Sequence, residues 1–296
     1  MNSSAFWSGK SVFLTGHTGF KGSWLSLLLD RLGARVTGFA DGIPTTPSLY
    51  EAASVANALT DRRGDITVLA EVGEAMRASA PEIVVHMAAQ PIVKVGYSDP
   101  ILTYATNVMG TAHVLQAARD CPSVRVILVV TTDKCYDNRE WPWGYRETDA
   151  LGGHDPYSAS KACAELVTSS FRSSFFHGPD CGVAVTSARA GNVIGGGDFA
   201  ADRILPDAYR AFARGAALQV RNPRAVRPWQ HVLDPLWGYL TLIERAWDDV
   251  GGFSEAWNFG PGSGNEQPVE ALVAGIVARW GDGARWQQEF GDHAKE

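Results

Sequence analysis

The run Ser11–Thr15 ends in a loop with glycines at 16, 19 and 22, and the loop opens directly into an amphipathic stretch over 20–32. Few folds accommodate such a junction. Glycine tolerates the tight turn and lets the following helix pack close to the strand. A chain that starts this way is committed to a βα unit, and the remaining sequence repeats the pattern. Strands are predicted over 35–40, near 66–69, and over 82–87, 125–130 and 182–188. Helices are predicted near 71–80 and over 101–119 and 157–176. The short runs are β-branched and apolar, as buried strands require, and the longer segments have helical periodicity.

Strands that alternate with helices pair in parallel, with helices on both faces. Right-handed crossovers then give an α/β, Rossmann-like doubly wound parallel sheet over 1–194. The glycines at 195–197 mark a junction. Helices predicted near 206–214, 235–247 and over 269–280 form a smaller lobe, 195–296, interleaved with the first domain. In a doubly wound sheet, ligands bind at the carboxyl ends of the strands. That rule nominates 16–22, 39–41, 88–90, 131–134 and 189–192, where polar residues cluster.

The glycine loop is the first of these. Its spacing is G-x-x-G-x-x-G rather than the commoner G-x-G-x-x-G. Placed between a strand and a helix, Gly16, Thr18, Gly19, Phe20 and Gly22 form a seat for a pyrophosphate, which the unpaired N–H groups of a helix N-terminus attract. Asp41, about twenty residues further on, suits the ribose hydroxyls of NAD; this segment alone leaves NADP open. Asp65 and Ile66 are candidates to flank the adenine. Ala88, Ala89, Gln90, Asn107 and Thr131 complete the expected cofactor contacts.

Tyr157 and Lys161 lie four apart on a predicted helix and so share a face. Free tyrosine titrates near ~10, too high for a base at neutral pH. An adjacent ammonium lowers that value, and the pair, beside a dinucleotide, can take a hydroxyl proton as hydride leaves the carbon. The segment Thr131-Thr132-Asp133-Lys134 follows the most hydrophobic strand and presents a hydroxyl, a carboxylate and an amine to the same crevice.

Bulk properties narrow the class. With 296 residues, 45% hydrophobic, the chain can bury a sizeable core. A formal net charge of −6 disfavours a general nucleic-acid or anionic-membrane binder. No apolar run approaches membrane-spanning length, and the N-terminus has no secretory pattern. The four cysteines form no C-x-x-C pair, so reduced thiols in the cytoplasm and no metal site are expected.

These residues resemble the extended short-chain dehydrogenase/reductase family, in particular its nucleotide-sugar 4,6-dehydratases. The strings that carry the resemblance are GHTGFKGSWL at 16–25, HMAAQP at 86–91, TDKCY at 132–136, PYSASK at 156–161, RAGNVIGGGD at 189–198 and RPWQHVL at 227–233. Most such dehydratases have Thr-Asp-Glu where this chain has Thr132-Asp133-Lys134, and the lysine resembles the branch acting on CDP-glucose. The resemblance implies bound NAD and a three-step reaction: oxidation at C4, loss of water across C5 and C6, and return of hydride to C6. Tyr157 with Lys161 would serve the C4 hydroxyl and Thr132 would sit near the C4 oxygen. Asp133 would be the acid for the departing C6 hydroxyl. Lys134, buried and at a lowered pKa, would serve the C5 proton step directly or through a water.

Between Arg203 and His231 there are six arginines and one acid, Asp207. Arg203, Arg221 and Arg227 are candidate clamps for a sugar-nucleotide pyrophosphate. Gln90, Asn192 and His231 are further substrate candidates. Trp229 is either a stacking platform for the base or a core aromatic. Arg210 and Arg214 are expected on the solvated surface. The relatives implied by the resemblance continue beyond residue 296, so a shortened closing part of the lobe is expected. A 4-epimerase, or a dehydratase for another nucleotide, shares most of these residues, as does an NAD-binding regulator without turnover. The resemblance also implies a homo-oligomer, with the helices over 101–119 and 157–176 pairing across a two-fold.

Overall fold

The computed structural model describes residues 3–178, 181–262 and 266–289. The end of the chain on which the expected shortening rests, 291–296, lies outside the described residues. The centre is a seven-stranded, all-parallel sheet. Its strands are β1 (Ser11–Thr15), β2 (Arg35–Ala40), β3 (Thr60–Arg63), β4 (Ile83–His86), β5 (Val126–Val130), β6 (Ala184–Ala190) and β7 (Ala256–Phe259). Their spatial order is β7-β6-β5-β4-β1-β2-β3. The order reverses between β1 and β4, and the crevice above that point is where a doubly wound sheet takes its ligand.

Alternation within each strand sorts the core into two layers. In β5, Val126, Leu128 and Val130 face one side and Ile127 and Val129 the other, all buried. Helices α1 (Phe20–Arg31) and α5 (Leu233–Asp248) cover the first face with Leu25, Leu29, Leu236 and Tyr239. Helices α2 (Leu69–Ser79) and α3 (Gly110–Arg119) cover the second with Val72, Met76, Val114 and Leu115. Helix α4 (Pro156–Phe175) also packs on this second face. Each fully buried side chain of this size contributes about 1.5–3 kcal/mol.

The chain departs from its predicted elements in three places. The third strand is Thr60–Arg63, not 66–69: Ile66 instead buries in the following turn, against Gly110. The helix expected over 101–119 is a single rod with a π segment, Ala105–Met109, between Pro100–Tyr104 and α3. The residues after Gly195 serve both the large sheet and a separate small core. Helix α5 and strand β7 complete the large sheet. Helices Ile204–Ala213 and Val269–Trp280 enclose a separate small core of Ala208, Phe212, Leu218, Val220 and Val273. Among the described residues, no helix is long and apolar enough to cross a membrane.

Candidate active site

Between the sheet and the small core lies a cleft of about 1230 Å³. The glycine loop forms its floor on the β1 side. Gly16 has φ +75°, and a Cβ there would lie 2.8 Å from the Ala88 backbone. A Cβ on Gly22 would come within 2.1 Å of the Gly16 carbonyl oxygen. Gly19 caps α1 without any side-chain hydrogen bond, so the first N–H groups of this twelve-residue helix point into the cleft with no side chain to satisfy them. These are the properties an anionic pyrophosphate needs. Thr18 Oγ1 donates to the Gly42 carbonyl at 2.6 Å, tying the loop to the exit of β2, where Asp41 lines the cleft. Asp65 and Ile66 line the same end, and Ala88, Ala89, Gln90 and Thr131 line the middle.

The β1 and β4 ends are braced from behind. Thr15 Oγ1 accepts from the Met87 and Ala88 N–H groups at 3.0 and 3.1 Å and donates to His86 Nδ1 at 2.7 Å. His86 Nε2 then donates to Thr111 at 3.1 Å. Burial holds His86 neutral, at about 3. Asn107 sits outside the cleft, contrary to its assignment as a cofactor contact, because the π segment turns it inward. Its amide accepts from Gln90 N–H at 2.8 Å and donates to the Gln90 carbonyl at 3.1 Å and to Ser160 Oγ at 2.8 Å. It positions Gln90 and the first turn of α4. The Gln90 side chain is likewise engaged, with Thr103 at 2.9 Å and Ile92 N–H at 2.6 Å, although the residue lines the cleft.

Tyr157 and Lys161 lie on the first two turns of α4, capped by Asp155, and both are buried at the cleft wall. Burial pushes the Tyr157 phenol up to about 12, while a hydrogen bond with Thr132 and the charge of Arg203 pull the other way. The lowered value expected from Lys161 is therefore not the state of the protein by itself. Burial takes Lys161 down to about 8, opposed chiefly by Glu165. Its Nζ donates to the Val130 carbonyl at 3.5 Å.

Beyond β5 the chain forms a short 3-10 turn, Asp133–Cys135. Thr132 Oγ1 donates to Asp133 Oδ1 at 3.0 Å and accepts from the Lys134 N–H at 3.4 Å. Burial raises Asp133 above the usual carboxylate range, against the influence of Thr132, Lys134 and Arg227. Gly191 packs on it: a Cβ at 191 would lie 2.9 Å from Asp133 Oδ2 and 2.6 Å from Pro228. Lys134 also lines the cleft, but it is exposed rather than buried, because the 3-10 turn carries it outward.

On the lobe side, Asn192, Arg203, Arg221, Arg227 and Trp229 line the cleft. Trp229 is half-buried and donates its indole N–H to the Gln267 carbonyl at 3.1 Å. His231 does not line this cleft; it is exposed and borders a separate small recess with Asp234 and Pro261. Arg210 and Arg214, expected on the open surface, line the far wall, where Arg210 donates to the Phe199 and Ala200 carbonyls.

Three residues absent from the sequence-derived site belong to it. Lys21, inside the glycine loop, donates to the buried Tyr239 hydroxyl at 2.9 Å and lies near enough to Lys161, Arg203 and Asp133 to feel their charges. Burial lowers it to about 7. Its place in the motif was legible; its direction was not. Asp198 pairs with Arg203 at 3.3 Å, and Asp202 pairs with Lys94 at 2.5 Å and Arg221 at 3.8 Å. Among the described residues no His, Cys, Asp and Glu group could hold a metal ion.

A CDP-glucose 4,6-dehydratase of Salmonella typhimurium is 50% identical over 294 residues, 98% of this chain and 82% of that protein. A dTDP-glucose 4,6-dehydratase of Mycolicibacterium smegmatis is 30% identical over 78% of this chain and 68% of its own length. The crystal structure of a dTDP-glucose 4,6-dehydratase double mutant from Streptomyces venezuelae, with NAD bound, shares the fold. Its TM-score is 0.76 at 23% identity, covering 94% of this chain and 84% of that one. Residues 12–260, nearly all of the sheet and its cleft, match the NAD dependent epimerase/dehydratase family, and the chain belongs to that family.

Proposed function

We propose that the protein is an NAD-dependent hydro-lyase that converts CDP-glucose to CDP-4-dehydro-6-deoxy-glucose. The observation that carries this reading is the meeting of Thr132, Asp133 and Lys134 with Tyr157 in one cleft, in a chain 50% identical to a CDP-glucose 4,6-dehydratase. The glycine loop and the uncapped start of α1 would hold the NAD pyrophosphate, with Asp41, Asp65 and Ile66 on the adenosine side. Bound NAD supplies a hydride acceptor at C4, a hydride donor at C6 and a positive ring that favours the Tyr157 phenolate.

The protein's own groups do the proton work. Tyr157 takes the C4 hydroxyl proton, with Thr132 bonded to its phenol and Lys161 stabilising the anion. The resulting C4 ketone acidifies C5. Asp133, whose buried position favours the protonated carboxyl, is suited to give its proton to the departing C6 hydroxyl. Lys134, exposed at the cleft edge, would hold the water that carries the C5 proton to solvent. Arg203, Arg221 and Arg227 face the cleft from the lobe and suit the substrate pyrophosphate.

The decisive experiment is incubation with CDP-, dTDP- and GDP-sugars side by side, read by mass spectrometry and by the alkaline absorbance of a 4-keto-6-deoxy product. Dehydrated product from CDP-glucose is expected. CDP-galactose in its place would make the protein an epimerase, and faster conversion of another nucleotide would refute the CDP assignment. Tyr157→Phe is expected to bind NAD and to lose turnover by roughly 10²-fold or more.

We also infer a homodimer. Ile101, Met109, Leu166 and Phe175 project from the rod containing α3 and from α4 at 76, 51, 57 and 45% exposure, an apolar face such as interfaces use. Four free thiols support a cytoplasmic location.

A further inference from the structure

Glu165 takes no part in the steps above, yet it is the most fully bonded charge near them. It lies one turn beyond Lys161 on α4, with its side chain 2% exposed. One carboxylate oxygen accepts from Thr131 Oγ1. The other accepts from Ser187 Oγ and from Arg189 Nη2, both at 2.8 Å. Arg189 Nη1 donates onward to the Tyr136 hydroxyl at 2.8 Å and the Glu147 carbonyl at 3.0 Å. Tyr136 in turn donates to Asn258 at 2.6 Å. A single carboxylate thus joins the helix of Tyr157 and Lys161 to the end of β5 and to β6. Through Arg189 and Tyr136 it also reaches β7 and the far side of the Asp133–Cys135 turn.

Burying an ion pair this deeply is seldom a gain in stability over apolar packing. Its placement suggests another use. The charged and titratable groups around Lys161 are Glu165 on its own helix, Cys135 on the turn, His86 on β4 and Lys21 on α1, with Arg189 beyond Glu165. His86 is neutral and Lys21 repels. Cys135 is held as a thiol, pushed up to about 12 by burial. Glu165 is the carboxylate that favours the ammonium, one helical turn away.

We propose that Glu165 is a positioning residue for the reaction: it fixes the Thr132-Asp133-Lys134 turn against α4 and is the counter-charge of Lys161. The assignment rests on the reading of Tyr157 and Lys161 as the redox pair. Its test uses Glu165→Gln, the double variant Glu165→Gln with Arg189→Met, which leaves no unpaired buried cation, and Glu165→Asp. In both Gln variants kcat should fall about 10–100-fold while KM for CDP-glucose stays within about 3-fold. The alkaline limb of the kcat profile should move to lower pH by about one unit. The Lys161 Nζ resonance, followed by nitrogen-15 NMR without substrate and assigned with Lys161→Arg, should titrate lower by the same amount. Glu165→Asp keeps the charge, so its limb should stay near wild type while kcat falls. Wild-type kcat, limb and resonance in the double variant would overturn the proposal; so would a shifted limb in Glu165→Asp, should neither Gln variant fold. Full turnover in Tyr157→Phe would instead overturn the redox-pair reading itself. An inactive Tyr157→Phe beside unaltered Glu165 variants would refute Glu165 alone.

Discussion

Two alanine substitutions three residues apart separate what the glycine loop does for the fold from what it does for the ligand. At Gly22 an added Cβ would sit 2.1 Å from the Gly16 carbonyl oxygen and 2.9 Å from His17 Cα, both backbone atoms that no rotamer can move away. The start of α1 must therefore retreat by roughly 1 Å, and overpacking of this kind costs about 1–3 kcal/mol. For a chain of this size that is a fall in melting temperature of roughly 2–5 °C. The same retreat withdraws the helix N–H groups from the pyrophosphate, and a misplacement of that scale costs up to about 100-fold. Gly19 differs. Its φ of −75° suits any residue, and its Cβ would meet only the Gly16 carbonyl oxygen at an ordinary 3.5 Å. Gly19→Ala should melt within about 2 °C of wild type, since the fold is undisturbed. It should still lose NAD affinity by about 10–100-fold, or roughly 1.4–2.7 kcal/mol, because the methyl occupies the space over the loop. Scanning fluorimetry without NAD and calorimetric titration with it give both quantities. Wild-type NAD affinity in Gly19→Ala would place the pyrophosphate elsewhere. A wild-type melting temperature in Gly22→Ala would refute the close-approach argument.

Other perturbations test the walls of the cleft. His86 stands at about 3 when folded against an ordinary 6.5, so the unfolded chain takes up a proton that the folded one refuses. The associated stability is full above pH 6.5 and drains away as pH falls toward 3; denaturant midpoints should drop less steeply with acid in His86→Gln. Gly191→Ala should push the Asp133 carboxylate aside, cutting kcat by about 10-fold or more while NAD affinity stays within about 2-fold, as steady-state kinetics and titration would show. Met109→Arg with Leu166→Arg should halve the mass seen by light scattering if these exposed residues form the dimer face.

What could be read from sequence follows from where the information lies. Strands β1, β2, β4 and β5 were legible because their burial is written in consecutive apolar residues such as Val126–Val130. Strand β3 was not: Thr60–Arg63 is exposed throughout and is held at the sheet edge by backbone pairing with 37–40, which has no side-chain signature. Strand β7, at the opposite edge, is only half-buried and likewise lacks a run of buried apolar residues to mark it. In the site, Tyr157 and Lys161 were legible from helical spacing. Gly16, Gly19 and Gly22 were legible from their place between strand and helix. Asn107 and His231 were misplaced because residue type says nothing of direction, which a π segment and a local turn decided. Glu165, Asp202 and Lys21 were missed because their roles depend on partners dozens or hundreds of residues away, such as Tyr239 for Lys21 and Lys94 for Asp202.

The charge of the cleft shows why a bulk reading and a local one must be kept apart. The chain carries a formal −6, which argues against polyanions such as nucleic acid. Yet Lys21, Lys134, Lys161, Arg203, Arg221 and Arg227 all line one cavity. Asp198 and Asp202 do not cancel this field so much as orient it, since they tether Arg203 and, with Lys94, Arg221 from the lobe side. Low-dielectric walls focus the remaining positive potential onto a space of molecular size. Such a site attracts a small, compact anion with two phosphates and gives an extended polyanion no surface to follow. Within that field Asp133 lines the cleft with Tyr157, and burial raises its pKa against the pull of Thr132, Lys134 and Arg227. The arrangement therefore combines a cationic seat for phosphates with a buried carboxyl whose surroundings favour the proton-donating form, the combination that elimination from a nucleotide sugar requires and that simple dehydrogenation does not.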